Sequence, residues 1–154
     1  MKQSLEYTFT EVFTKFKIHF YQQVFGRLKS REATLSAVET FSVEVINAMG
    51  TPTVSQFAEF VNISVANASF KVQSLIKKGY LRKERSEEDK REFHLVVTDR
   101  FREYQILSTS YINLVIKRIE ETCSLQDVAA FKRVLEKMSN ELMPEIVLHK
   151  HQQQ

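Results

Sequence analysis

The chain of 154 residues has one cysteine, two prolines, three glycines and no tryptophan. A lone Cys123 excludes an intrachain disulfide framework and fits a reducing cytoplasm. It falls at the junction between the last two predicted helices, and an inert cysteine is expected there rather than an oxidation switch. Gly26, Gly50 and Gly79 are too dispersed to build a phosphate-cradling loop. No helix carries paired histidines around a glutamate, and no nucleophile elbow is present, so the sequence predicts no enzyme. The four histidines, His19, His94, His149 and His151, do not converge as metal ligands, and no metal or cofactor is expected. No apolar run reaches the length needed to span a bilayer, and Glu6, Lys15 and Lys17 break any secretory h-region. A cytoplasmic protein with no membrane partner is the expectation.

What is present is a helical pattern with one hairpin. Hydrophobic residues make up 43% of the chain, enough for a core, and the net charge is +3. That charge is uneven: residues 71–102 hold ten Lys/Arg against six Asp/Glu, while the rest sums to −1. Charge alone suits a solvated face as well as nucleic acid. The order of elements around it is more informative. Thr53 and Gln56 are spaced as a capping box for a short helix through Val61. Asn62-Ile63 makes a tight turn, and Ser64 caps a second helix to Lys78 with Ala68, Val72, Leu75 and Ile76 as its buried stripe. Gly79 ends it. Leu81–Arg85 and Phe93–Val97 then read as strands around a charged tip.

From Phe60 to Lys83 the chain has no acidic residue. A helix entering a major groove must keep carboxylates from phosphates, and this one does. Ser64, Asn67, Ser69, Phe70, Lys71 and Ser74 are expected to face the groove. Arg82, Lys83, Arg85, Lys90 and Arg91 would hold phosphates or reach the minor groove.

Helix, turn, helix, glycine and basic hairpin is the order of a winged helix-turn-helix. From Thr34 to Thr98 the chain resembles the MarR-type bacterial transcription regulators, and the helix order agrees over nearly the whole length. Asp89-Lys90-Arg91 matches the family's Asp-x-Arg wing signature, preceded by Gly79-Tyr80-Leu81-Arg82 and closed by Val97-Thr98. The resemblance implies that Asp89 orients Arg91 through a charged hydrogen bond. It departs at Phe101, where the family usually has glycine. Either the following helix enters at another angle or the ring fills the contact.

The expected fold is mainly α with a small β-hairpin wing (α+β), a winged helix-turn-helix over 34–98. Residues 1–33 and 99–148 form a helical dimerisation region, and 149–154 a flexible tail. Helices are predicted over 4–29, from Ser36, spaced with Glu39 as a second capping box, to near Gly50, from Thr98 as a cap, and from Ser124 to before Pro144. The outer helices are too apolar to stay exposed, which favours a two-fold homodimer over an intrachain helical hairpin. Two reading helices would then lie roughly 34 Å apart on a pseudo-palindromic operator in double-stranded DNA. A repressor fits this arrangement. The rivals are a winged helix used for protein–protein contact, and a regulator dominated by lipid or phenolic ligands. Phe13, Phe16, His19, Phe20 and Tyr111 would line a pocket for a small apolar or aromatic effector, or else form dimer core.

Overall fold

The computed structural model describes residues 3–28 and 35–148. The elements run α1 (Leu5–Leu28), α2 (Ala37–Ala48), α3 (Val54–Phe60), α4 (Val65–Lys77), β1 (Leu81–Arg85), β2 (Phe93–Val97), α5 (Asp99–Thr122) and α6 (Leu125–Lys137), followed by a π-helical turn at Met138–Leu142. The fold is mainly helical with one antiparallel hairpin, as expected. Residue 29 of the first predicted helix, the 149–154 tail and its two histidines lie outside the described residues. So do the side chains of Leu28 and Leu107.

Local chemistry sets the helix starts. Ser36 and Glu39 cap each other at α2: the Glu39 N–H donates to Ser36 Oγ at 3.2 Å, and the Ser36 N–H to Glu39 Oε2 at 2.7 Å. Thr53 and Gln56 do the same at α3. Ser64 and Ser124 accept N–H donors three residues on, at the starts of α4 and α6. Each satisfies a donor that the first helical turn leaves free.

Residues with left-handed backbone end α3 and α4. After α3, Asn62 has φ 55°, and the Ile63 N–H reaches back to the Ala58 carbonyl at 3.0 Å. After α4, Gly79 has φ +81°, and the Tyr80 N–H donates to the Leu75 carbonyl at 3.0 Å. Both are Schellman closures, in which the chain reverses while the last carbonyls stay paired. Tyr80 and Leu75, the two residues joined at α4, are both buried.

The described residues divide into two compact units, one of 3–28 and 105–145, the other of 35–104 and 146–148. The division falls within α5, after Tyr104. In the second unit a single core joins Val43 and Ile46 of α2, Phe57 of α3, Ala68, Val72 and Leu75 of α4, and Leu81, Leu95 and Val97 of the hairpin. Phe101 completes it at 1% exposure, its ring stacked on Tyr104 with centroids 5.8 Å apart. The Phe101 ring therefore fills a core position at the start of α5. The segment before α3 also joins the hairpin edge, since the Leu95 N–H donates to the Pro52 carbonyl at 2.8 Å.

In the first unit, α1 and α5 meet through rings. His19 stacks on Tyr111 at 3.8 Å and 9°, and Phe16 meets the same ring edge-on at 5.7 Å. Much else there is uncovered. Leu5, Phe9, Val12, Phe13 and Phe25 of α1 are exposed, and α6 buries no residue.

A Cβ added at Gly79 would meet only Arg100 side-chain atoms, at 3.8 Å or more, so the glycine is there for its backbone rather than for space. Gly79→Ala should cost about 1–2 kcal/mol, the left-handed penalty of an L-residue. Asn62→Gly should stay within about 0.5 kcal/mol of the wild type, because asparagine already tolerates that region. Urea midpoints at unchanged slope would measure both.

Candidate nucleic-acid interface

The orientation of α4 is fixed by burial and by one carboxylate. Ala68, Val72 and Leu75 point into the core. Ala66, Phe70, Gln73 and Lys77, at i, i+4, i+7 and i+11, lie on the opposite, exposed side. Asn67 is exposed beside them, and Ser69 and Lys71 are half-buried on the flanks. Ser64 is exposed, but its hydroxyl is committed to the helix cap.

Ser74 does not face outward as expected. It is half-buried, and its hydroxyl donates to Glu39 Oε1 at 2.5 Å. The same carboxylate receives Lys78 Nζ, at 2.8 Å to each oxygen. Glu39 therefore binds Ser36 of its own helix cap, Ser74 in the last turn of α4 and the cap residue after α4. Its side chain is only 12% exposed. Burial opposes its ionisation, yet the hydrogen bonds from Lys78, Ser74 and Ser36 together outweigh that and hold the carboxyl down at about 2. The capping box was legible in the sequence. The grip on α4 was not, since it spans 35 residues to Ser74 and 39 to Lys78.

The junction between α4 and the wing is also tied from α5. Arg100 Nη1 donates to the Lys78 carbonyl at 2.9 Å, and its guanidinium lies over the Tyr80 ring at 4.8 Å. A cation at the carbonyl end of α4 complements the helix dipole. Thr98 does not cap α5 with its side chain as expected. Its hydroxyl donates to the Gly79 carbonyl and its N–H to the Tyr80 carbonyl at 3.1 Å, which closes the base of the wing.

The strands pair from Leu81↔Val97 to Arg85↔Phe93. Alternation puts Leu81, Lys83 and Arg85 on one face, with Arg82 and Glu84 on the other. Arg82 is engaged by its neighbour, with Nε 2.8 Å from Glu84 Oε1. Arg85 sits over the Phe93 ring at 5.6 Å. At the tip, Ser86 Oγ accepts the Asp89 N–H at 3.2 Å, and Asp89 Oδ1 accepts the backbone N–H of Arg91 at 2.9 Å. Asp89 thus shapes the backbone under Arg91 instead of pairing with its guanidinium. Among the described residues Lys71, Lys77, Lys83, Arg85, Lys90 and Arg91 form no ion pair.

The residues considered for an effector pocket form the ring cluster on α1 and α5. Phe16, His19, Phe20 and Tyr111 are half-buried, while Phe13 is exposed with Lys17 Nζ over its ring at 5.4 Å. The sequence showed no sign of a cavity of about 610 Å³ in the other unit, lined by Met49, Thr51, Pro52, Gln56, Glu59, Phe60 and His94. Cys123 is free and exposed.

The depressed Glu39 carboxyl gives a signed expectation. Its contribution to stability is complete above the ordinary value of 4.5 and is lost as the pH falls toward 2. Glu39→Gln should lower stability at pH 7 by about 2–3 kcal/mol. Chemical denaturation at pH 7 and pH 3 should show the gap from wild type narrowing to roughly half at the lower pH. A gap independent of pH would contradict an ionised clamp.

Comparison of the sequence with curated proteins finds no match. Solved structures match over nearly the whole chain. The transcriptional regulator Tm0710 from Thermotoga maritima superposes with a TM-score of 0.68 at 16% identity, covering 92% of this chain and 98% of its own. Streptococcus pneumoniae FabT, solved in complex with DNA, gives 0.62 at 20% identity, covering 93% and 100%. A point mutant of S. aureus MepR, bound to an oligodeoxyribonucleotide, gives 0.55 at 14%, covering 92% and 100%. At these identities the likeness establishes the fold. The MarR family model matches residues 35–93, from just before α2 to the first residue of β2. Over those residues, which hold the winged helix-turn-helix, the chain matches the MarR family.

Proposed function

We propose that this chain is a sequence-specific, double-stranded DNA-binding transcription regulator. In this reading it acts as a homodimer on a pseudo-palindromic operator and represses by blocking promoter access. The observation that carries it is the pairing of an acid-free, solvent-facing α4 with a hairpin whose Lys83, Arg85, Lys90 and Arg91 are free of carboxylate partners. Cations already neutralised within the chain have little to offer a phosphate backbone, whereas these four can release its counterions. FabT and MepR, which share the fold, were solved with DNA or an oligodeoxyribonucleotide, and this supports the same use here.

The homodimer rests on uncovered apolar surface. Leu125 is 89% exposed, and Phe131, Val134 and Leu135 of the same helix are exposed too. A helix of 13 residues that buries nothing is marginal in water, and its apolar stripe needs a partner. With the exposed face of α1 it suits a two-fold interface, which would present two copies of α4 to successive major-groove segments.

Selection of bound duplexes from a random pool tests the function. A two-fold symmetric consensus is expected, and an unenriched pool would refute the reading. Arg91→Ala should weaken operator binding by about 1–3 kcal/mol and reduce the salt slope by about one. Unchanged affinity and slope would remove the wing from the interface. Sedimentation should give twice the 18.1 kDa chain mass, and the pair Phe131→Glu and Leu135→Glu should shift it to the single-chain value.

A further inference from the structure

The exposed face of α4 has an unusual composition for a helix placed to read bases. Residues 64–78 contain no arginine, so the side chain that most often reads guanine is missing. The two lysines within α4 are badly placed to replace it. Lys71 is half-buried on the flank, and Lys77 is in the last turn, away from the N-terminal residues that approach base edges. What does face outward is apolar or amide. Phe70 is 75% exposed, with Ala66 one turn before it. Asn67 and Gln73 are exposed, and neither side-chain amide is bound among the described residues.

These groups match one kind of base pair. A thymine offers a 5-methyl group to the major groove, and an apolar side chain can pack on it. An adenine offers N7 as acceptor and N6 as donor, which an Asn or Gln amide meets with two hydrogen bonds. From Ala66 to Gln73 the helix rises about 10 Å, the length of roughly three base pairs. Resting on the DNA-binding function proposed above, we propose that α4 reads an A·T-rich half-site. Phe70 packs against thymine methyl groups, and Asn67 and Gln73 take adenine edges. This also gives a use for an aromatic ring otherwise left in water.

The test begins with the duplexes selected by the wild type and continues with synthetic copies. In these, thymine is replaced by uracil at one enriched position at a time, which deletes only the methyl group. The selected half-sites should be A·T-rich, and at one or two positions uracil should weaken wild-type binding about fourfold. Phe70→Ala should bind the thymine duplex that much more weakly and show no response to uracil. Because Phe70 is 75% exposed, the variant should fold as the wild type does. A consensus dominated by G·C pairs would overturn this inference and leave the proposed function standing. An A·T-rich consensus with wild-type binding indifferent to uracil would overturn the role of Phe70. If no duplex is enriched, the proposed function fails and this inference fails with it.

Discussion

The Glu39 carboxylate fixes the helix on which base reading would depend. Its two oxygens, on a side chain only 12% exposed, serve the cap of α2, the Ser74 hydroxyl and the Lys78 ammonium. Core packing through Ala68, Val72 and Leu75 sets how deep α4 lies. A smooth apolar stripe constrains rotation about the helix axis less tightly than directed hydrogen bonds do. The Glu39 contacts supply that direction in the last turn of α4 and again at its C-cap. A reading helix must present the same few side chains to every duplex, and a turn of a few tens of degrees would exchange Phe70 and Gln73 for their neighbours.

Downstream, the wing is anchored at its base and carries its charge at its tip. Thr98, Arg100 and Tyr80 close the junction with α4, so the hairpin leaves the core in a set direction. Beyond it, Ser86 and Asp89 organise the tip through backbone N–H groups and leave the Arg91 guanidinium uncommitted. Asp89 lies close in sequence to Lys90 and Arg91 but does not neutralise them. Arg82, by contrast, is held by Glu84, which makes it a weaker candidate for phosphate than the sequence suggested.

Sequence reading succeeded where the determinants were local. Capping boxes link residues three apart, so Ser36/Glu39 and Thr53/Gln56 were legible, and the strands Leu81–Arg85 and Phe93–Val97 were read to the residue from composition and flanking turns. It failed where a residue's use depended on a distant partner. Ser74 sits at the margin of the exposed face, and only Glu39, 35 residues earlier, draws it inward. Thr98 looks like a helix cap by position, yet its hydroxyl serves Gly79, 19 residues before it. The outward side of α4 was blurred by the same effect: Gln73 and Lys77 were passed over and Ser74 was included, because burial was not yet known to within one residue.

The central claim is that a clamped, arginine-free helix reads sequence while an uncommitted basic wing supplies affinity. The most direct measurement compares the chain's affinity for its selected duplex with that for a scrambled duplex of equal length, across a salt series. The account predicts a preference of at least about 10³ for the selected sequence, with both affinities falling as salt rises. Equal affinity for the two duplexes, or binding indifferent to salt, would contradict it.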